Sequence, residues 1–233
     1  MAAILKRELR AYFTSMLGYF YLAAIGAFSG LYFFTTTLMS DAAELSAVFS
    51  GLFTVVLFLI PLLTMRLFSE ESRGRSLPLL YTAPVANWEM VLGKYLGALI
   101  LYSLGIAFPL LFGVVLSVFQ APSWPAVWGS YLGLWLVGAA LIAVGLYLSS
   151  RTQSQLIAGI CGLAISLMVL LLDAVALVFP EPMRSILFYL SFSERIYPLT
   201  LGLFRLGDAV YFLSIAGFFL YLCCRRLAAR RML

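Results

Sequence analysis

The stretch YLGALILYSLGIAFPLLFGVVLSVFQAPSWPAVWGSYLGLWLVGAALIAVGLYLSS, residues 95–150, runs for 56 residues without a charge. A helix crosses the bilayer core with about 20 apolar residues. The stretch is therefore too long for one span and fits two. The prolines of QAPSWP (120–125) divide it, because proline lacks an amide donor and its ring clashes with the preceding turn. Spans are predicted at 95–119 and 127–149. The same reading extends outward on both sides. Thirty uncharged residues separate Arg10 from Asp41, and 21 separate Glu44 from Arg66, giving spans at 16–38 and 45–65. Another 21 separate Arg151 from Asp173, and the fifth span is predicted over 153–179, ending before Pro180. The last uncharged run, 209–224, has 16 residues and borrows Leu206 and Gly207, giving 206–224.

Composition agrees with this division. Hydrophobic residues are 64% of the 233 and charged residues 11%, with a mean hydropathy of +1.04. A soluble domain is about half apolar and about a quarter charged, so soluble, disordered and disulfide-stapled classes are excluded. What remains is an all-α integral membrane protein, one transmembrane domain over 1–233. The absence of histidine removes the usual zinc and haem ligands and a histidine proton relay. Cys161, Cys223 and Cys224 lie in or at the end of apolar runs and read as small buried apolar residues. The net charge of +5 sits mostly in loops and reads as topology, not as nucleic-acid binding. With the N-terminus inside, twelve of the fifteen Lys and Arg residues fall on the cytoplasmic side. Only Arg184, Arg195 and Arg205 fall outside. That asymmetry predicts cytoplasmic N- and C-termini. The first span lacks a small-residue cleavage site after a short apolar core, so it reads as a retained anchor.

Ahead of the first span, Ile4, Leu5, Leu9, Tyr12, Phe13 and Met16 recur at helical spacing, with Lys6, Arg7 and Arg10 on the other side. This predicts an interfacial amphipathic helix held by membrane lipid. A plain positive flank of the first span fits the same residues.

The segment 66–94, RLFSEESRGRSLPLLYTAPVANWEMVLGK, is longer than a simple connection between helices. It carries Glu70 and Glu71, then Arg73, Gly74 and Arg75, and an apolar patch over 77–81 that Pro84 stops. Asn87 stands where it can cap the next helix, with Glu89 in the first turn, where the dipole favours an anion. Trp88 marks the inner interface, and Gly93 and Lys94 lead into the third span. The residues alone leave two readings open: a surface built to meet a cytoplasmic partner, or a solvated charged loop.

This segment resembles that of the permease subunit of bacterial ABC-2 type transporters, most nearly the gliding-motility and nitrous-oxide-reductase maturation permeases. The resemblance rests on Glu70-Glu71, Gly74, residues 77–80, Pro84-Val85, Trp88-Glu89 and Gly93-Lys94. Lys6-Arg7-Glu8-Leu9 and the six-span plan support it. It departs at Ser76 and Pro78, where the resemblance would place Thr and Glu. The resemblance implies a multi-pass protein of a bacterial inner membrane, with Glu70, Glu71, Arg73 and Gly74 at the contact with a cytoplasmic P-loop ATPase in two copies. It implies a second permease copy or a sister permease, and it admits an accessory outer-facing protein. For the apolar, broken segment 180–207 it implies short re-entrant helices, with Arg184, Glu194 and Arg195 at the outer surface.

ATP and magnesium are expected on that partner and no cofactor on this chain. Gly93-Lys94 is the only Gly-Lys pair, it is followed by Tyr95, and position 88 is Trp where a P-loop needs Gly. The chain is thus read as a non-enzyme. Two rival readings remain. One is a non-transporting scaffold of a motility or cofactor-maturation assembly. The other is an ATP-independent channel or secondary transporter, a class that usually shows paired intramembrane charges or repeats. Asp173 is the one acid within an apolar stretch; it reads either as an intramembrane polar site or as an interfacial residue within reach of water. Three G-x-x-x-G pairs, Gly26/Gly30, Gly93/Gly97 and Gly129/Gly133, fit packing within the bundle at least as well as dimerisation.

Overall fold

The computed structural model describes residues 2–39, 45–69, 86–119, 123–181 and 183–231. Its helices are, in order, α1 (Ala2–Thr14), α2 (Met16–Tyr32) with a π-helical continuation (Phe33–Leu38), α3 (Ser46–Thr64), α4 (Asn87–Ile106) and α5 (Phe108–Leu116). Then follow α6 (Trp124–Arg151), α7 (Gln155–Ala176), α8 (Met183–Leu190), α9 (Phe192–Thr200) and α10 (Leu206–Arg231). No strand occurs among the described residues. Six stretches are long and apolar enough to cross a membrane: Met16–Thr37, Ser46–Thr64, Asn87–Leu116, Trp124–Arg151, Gln155–Ala176 and Leu206–Ala229. The third combines α4 and α5, interrupted at Ala107. Pro109 sits in the first turn of α5, where its missing donor and its ring break the preceding helical ladder.

α6 is the centre of the bundle. In its most apolar window 78% of residues are buried, against 22% in the windows of α2, α7 and α10, which therefore form the flanks. A buried hydroxyl in hydrocarbon needs an internal partner, and the tyrosines of α4 find theirs on α6. Tyr95 donates to the Ala139 carbonyl at 3.2 Å, and Tyr102 donates to the Leu134 carbonyl. Trp135 Nε1 of α6 donates to Ser103 Oγ of α4 at 2.9 Å. The Tyr102 ring lies over Gly138, where any Cβ would overlap it.

Each of the three G-x-x-x-G pairs seats a different element of the same chain. A Cβ on Gly93 would fall 2.8 Å from Ile4, and one on Gly97 would fall 3.0 Å from Glu8, so this pair receives α1. A Cβ on Gly129 would overlap the Leu199 carbonyl oxygen, and one on Gly133 would sit 3.3 Å from Ile196 and Leu199, so this pair receives α9. Gly26 and Gly30 face Phe108 and Phe112 of α5 at 3.7 and 4.0 Å.

At the end of the bundle remote from α1, α8 and α9 bridge the last two spans. Ser191 caps α9 by accepting from the Glu194 amide at 3.3 Å, the first half of a capping box. Arg195 departs from the expected surface charge. Its guanidinium lies between the rings of Tyr189 and Tyr211, 4.3 and 4.0 Å from their centroids. It bonds Asp208 at 3.0 Å, and each side chain of the pair is 11% exposed. The reason is local: an Arg among apolar short helices is stabilised only by a carboxylate and aromatic faces, and Asp208 opens α10 beside it. Cys161 also departs from expectation, lying on the exposed side of α7, whereas Cys223 is buried.

Gly129→Ala should lower the melting temperature of the purified chain, because the Leu199 backbone cannot yield as a side chain would; overpacking of this kind costs about 1–3 kcal/mol. Gly217→Ala, where nothing lies within 4 Å, should leave the melting temperature unchanged or raise it slightly. Equal effects from the two would show that α9 is not seated on Gly129.

Candidate functional site at the base of the 66–94 segment

The functional residues singled out in the sequence divide into two groups. Glu70, Glu71, Arg73, Gly74 and Pro84 lie outside the described residues. Asn87, Trp88, Glu89, Gly93 and Lys94 all belong to α4, and with residues 65–69 they form the two ends on which the segment stands.

The first end is fixed by one hydroxyl. Past the last turn of α3, the amides of Phe68 and Ser69 both donate to Ser149 Oγ of α6, at 3.0 and 3.1 Å. Ser149 Oγ in turn donates to the Met65 carbonyl at 3.1 Å. A helix end leaves such groups without intrahelical partners, and here a serine 80 residues away in the chain satisfies three of them. Ser69 Oγ folds back onto the same Met65 carbonyl. Arg66 reaches Ser15 Oγ at 3.3 Å, and Tyr12 OH donates to the Leu63 carbonyl at 3.4 Å. The turn is thus held by α1, by the junction of α1 with α2, and by α6.

The second end is fixed by a charge. Lys94 lies two turns inside α4, with its side chain 2% exposed, and its ammonium bonds Glu8 Oε1 at 2.9 Å. The Glu8 side chain is 12% exposed and also accepts from Arg7 at 3.1 Å. The Lys94 ammonium lies 5.2 Å from the centroid of the Phe68 ring, so the two ends of the segment meet at this residue. Burying an ammonium is unfavourable by several kcal/mol without a close, well-bonded carboxylate. α1 supplies one, and Gly93 and Gly97 let α1 approach closely enough to do so. Between α1 and the 65–68 turn is a cavity of about 220 Å³, with Arg7, Glu8, Tyr12, Arg66 and Lys94 in its walls.

One expectation changes, at Asn87, and the others gain detail. Asn87 is the first helical residue and makes no cap; Ala86, in extended conformation, is the N-cap, and Asn87 Oδ1 is buried without a hydrogen-bond partner. Glu89 does lie in the first turn. The apolar side of α1 docks on α4, while Lys6, Arg7 and Arg10 remain exposed. Asp173, in α7, is half-buried; its Oδ1 is enclosed without a hydrogen-bond partner, and it lies apart from the residues gathered here. Ser149 was not singled out in the sequence, and Glu8 only as part of the motif Lys6-Arg7-Glu8-Leu9, without a role. Glu8 had a signal: it is an acid in line with Leu5 and Tyr12, on the side that docks. Ser149 had none, since serines are frequent near helix ends.

Among the described residues the cluster shows no nucleophile–base geometry; its contacts join α1, α3, α4 and α6 at the two ends of the segment. Comparison with curated proteins gave no match. The family model described as ABC-2 family transporter protein matches residues 14–224, which takes in the turn 65–69, the whole 66–94 segment, the first five spans and most of the sixth. The chain is therefore a multi-pass membrane protein that belongs to the ABC-2 family of transporter proteins, as a membrane permease component.

Proposed function

We propose that this chain is the transmembrane subunit of an ATP-driven transporter, and that segment 66–94 receives the stroke of a separate cytoplasmic ATPase. The observation that carries this is the clamped base. A push on a segment whose feet were loose would be absorbed by the feet. Here Ser149 ties one foot to α6, and the Glu8–Lys94 pair ties the other to α1. Displacement of the segment therefore moves α1, α3, α4 and α6 together. In this reading Glu70, Glu71, Arg73 and Gly74 form the contact with the ATPase, and the α1 end of the bundle faces the cytoplasm of a bacterial cell. Two membrane subunits, identical or sister chains, pair to enclose the path, with two ATPase copies beneath them. The motif resemblance favours the gliding-motility and maturation branch, in which an accessory outer-facing protein joins the complex.

Purification of the tagged chain from its native membrane should bring down a P-loop ATPase in equal number. The triple substitution Glu70→Ala, Glu71→Ala, Arg73→Ala should reduce that recovery by at least about tenfold, since truncating interface charge pairs typically costs 2–5 kcal/mol. Membrane insertion and melting temperature should not change. Full ATPase recovery by the triple variant, or its absence from the wild-type preparation, would remove the proposed role of the segment.

Glu8→Gln should destabilise the chain by about 3–5 kcal/mol, because it removes the carboxylate facing an ammonium that remains buried. Glu8→Gln combined with Lys94→Met should be less damaging than Glu8→Gln alone. Thermal melting of the four chains of the cycle gives the coupling, and additive losses would mean that the pair does not hold α1 in place.

A further inference from the structure

α1 carries Lys6 and Arg10 on the side turned away from α4, with Arg7 between that side and the cavity it shares with Lys94. Lys6, Arg7 and Arg10 are exposed and, with Ala3, surround a shallow concavity of about 340 Å³. The one acid of α1, Glu8, points the other way and is engaged by Lys94 and Arg7. One turn further along the same side as Lys6 and Arg10, the surface becomes apolar at Phe13, which is exposed. The helix breaks at Ser15, yet the apolar strip continues: the Phe13 ring meets the Tyr19 ring edge-on at 6.5 Å, bridging α1 and α2. Tyr19, Phe20 and Met16 at the start of the first span are also exposed. Cations followed by aromatics and then an apolar helix face repeat the order of a phospholipid, from phosphate through glycerol to acyl chain. An acidic protein surface would match the cations but not the apolar strip below them.

We propose that this strip seats one anionic phospholipid, with its headgroup phosphate on Lys6 and Arg10 beside Arg7 and an acyl chain along Phe13, Tyr19 and Met16. The occupant adds negative charge beside Arg7, whose guanidinium already shares the Glu8 carboxylate with Lys94. Lipid binding stabilises the folded chain by mass action, with docked α1 as its seat. The lipid seat does not depend on the transport reading, and its test reads lipid binding alone.

Native mass spectrometry of the full chain in mild detergent, with phosphatidylglycerol or phosphatidylcholine of identical acyl chains, tests the seat. Preferential retention of one phosphatidylglycerol is expected. Lys6→Gln with Arg10→Gln should weaken that retention about 30-fold, from about 1 kcal/mol per basic residue at an anionic surface. Lys6→Arg with Arg10→Lys should preserve it. Phosphatidylglycerol should also raise the melting temperature of the wild-type chain and not that of the Gln variant. Equal retention of the two lipids, or unchanged retention by the Gln variant, overturns the proposal. So does displacement of the lipid by soluble glycerol phosphate, which would leave a phosphate site with no acyl part. Loss of a bound protein from the Gln variant, with lipid retention intact, would assign the cations to that protein instead and overturn it as well.

Discussion

The ammonium of Lys94 is the constraint around which one end of the molecule is arranged. A charge with 2% of its side chain exposed is tolerated only with a carboxylate at bonding distance. That carboxylate is 86 residues earlier in the chain, on a short helix outside the bundle proper. α1 must therefore fold back against α4, and the side of α4 that meets it must be smooth. Gly93 and Gly97 make it so on either side of Lys94. The chain then turns at Ser15, whose hydroxyl takes Arg66, so that the residue following α3 is drawn to the same place. Lys94 thus fixes the position of α1, the α1–α2 junction and the start of segment 66–94.

The other organising element is the surface of α6. Association of helices in lipid gains little from hydrophobic burial, since the tails are as apolar as leucine. Close contact and internal hydrogen bonds must hold the bundle. α6 offers both along its length. Gly129 and Gly133 admit α9, Gly138 admits the Tyr102 ring, and Ser149 collects two amides and a carbonyl from the end of α3. Its carbonyls at Leu134 and Ala139 each accept a tyrosine hydroxyl on a lone pair that the helical ladder leaves open. α6 is thus tied at several points along its length to α3, α4 and α9.

The six spans were legible because hydrocarbon thickness imposes a length and a composition that any segment must meet alone. Their limits were read from charges, and a charge does not mark where a helix begins: Lys94 lies inside α4, paired with Glu8. Arg195 is likewise paired: Asp208 and two tyrosine rings draw it inward, a match across 13 residues that no local pattern announces. Asn87 suits a cap by residue type, but the helix begins one residue earlier, where only the backbone decides. The kink at Ala107 had a sign in Pro109, obscured by the stronger division at 120–125. Of the candidate site, the positions on α4 were legible and the grip of Ser149 and Glu8 was not. Those contacts join residues 80 to 86 apart, and periodicity does not reach that far.

The use made of the glycine pairs bears on how two such chains can associate. A G-x-x-x-G pair dimerises helices by offering a groove to a second copy. In this chain the grooves are filled from within, by α1 and α9, which lie outside the spans, and by α5, the second half of the third span. In the proposed pair of subunits, broad side-chain faces such as those of the flanking helices α2, α7 and α10, where large apolar residues stand exposed, are open to contact. Such faces meet by interdigitating side chains, and their contacts exchange readily with lipid contacts of similar energy. In the proposed mechanism such an interface opens and reseals as α1, α3, α4 and α6 are displaced. Glycine contacts between backbones would resist the same motion. The division follows from the chemistry of each surface: glycine and hydrogen bonds where the chain packs closely on itself, aliphatic and aromatic side chains on the faces left to lipid or, in the proposed assembly, to a second subunit.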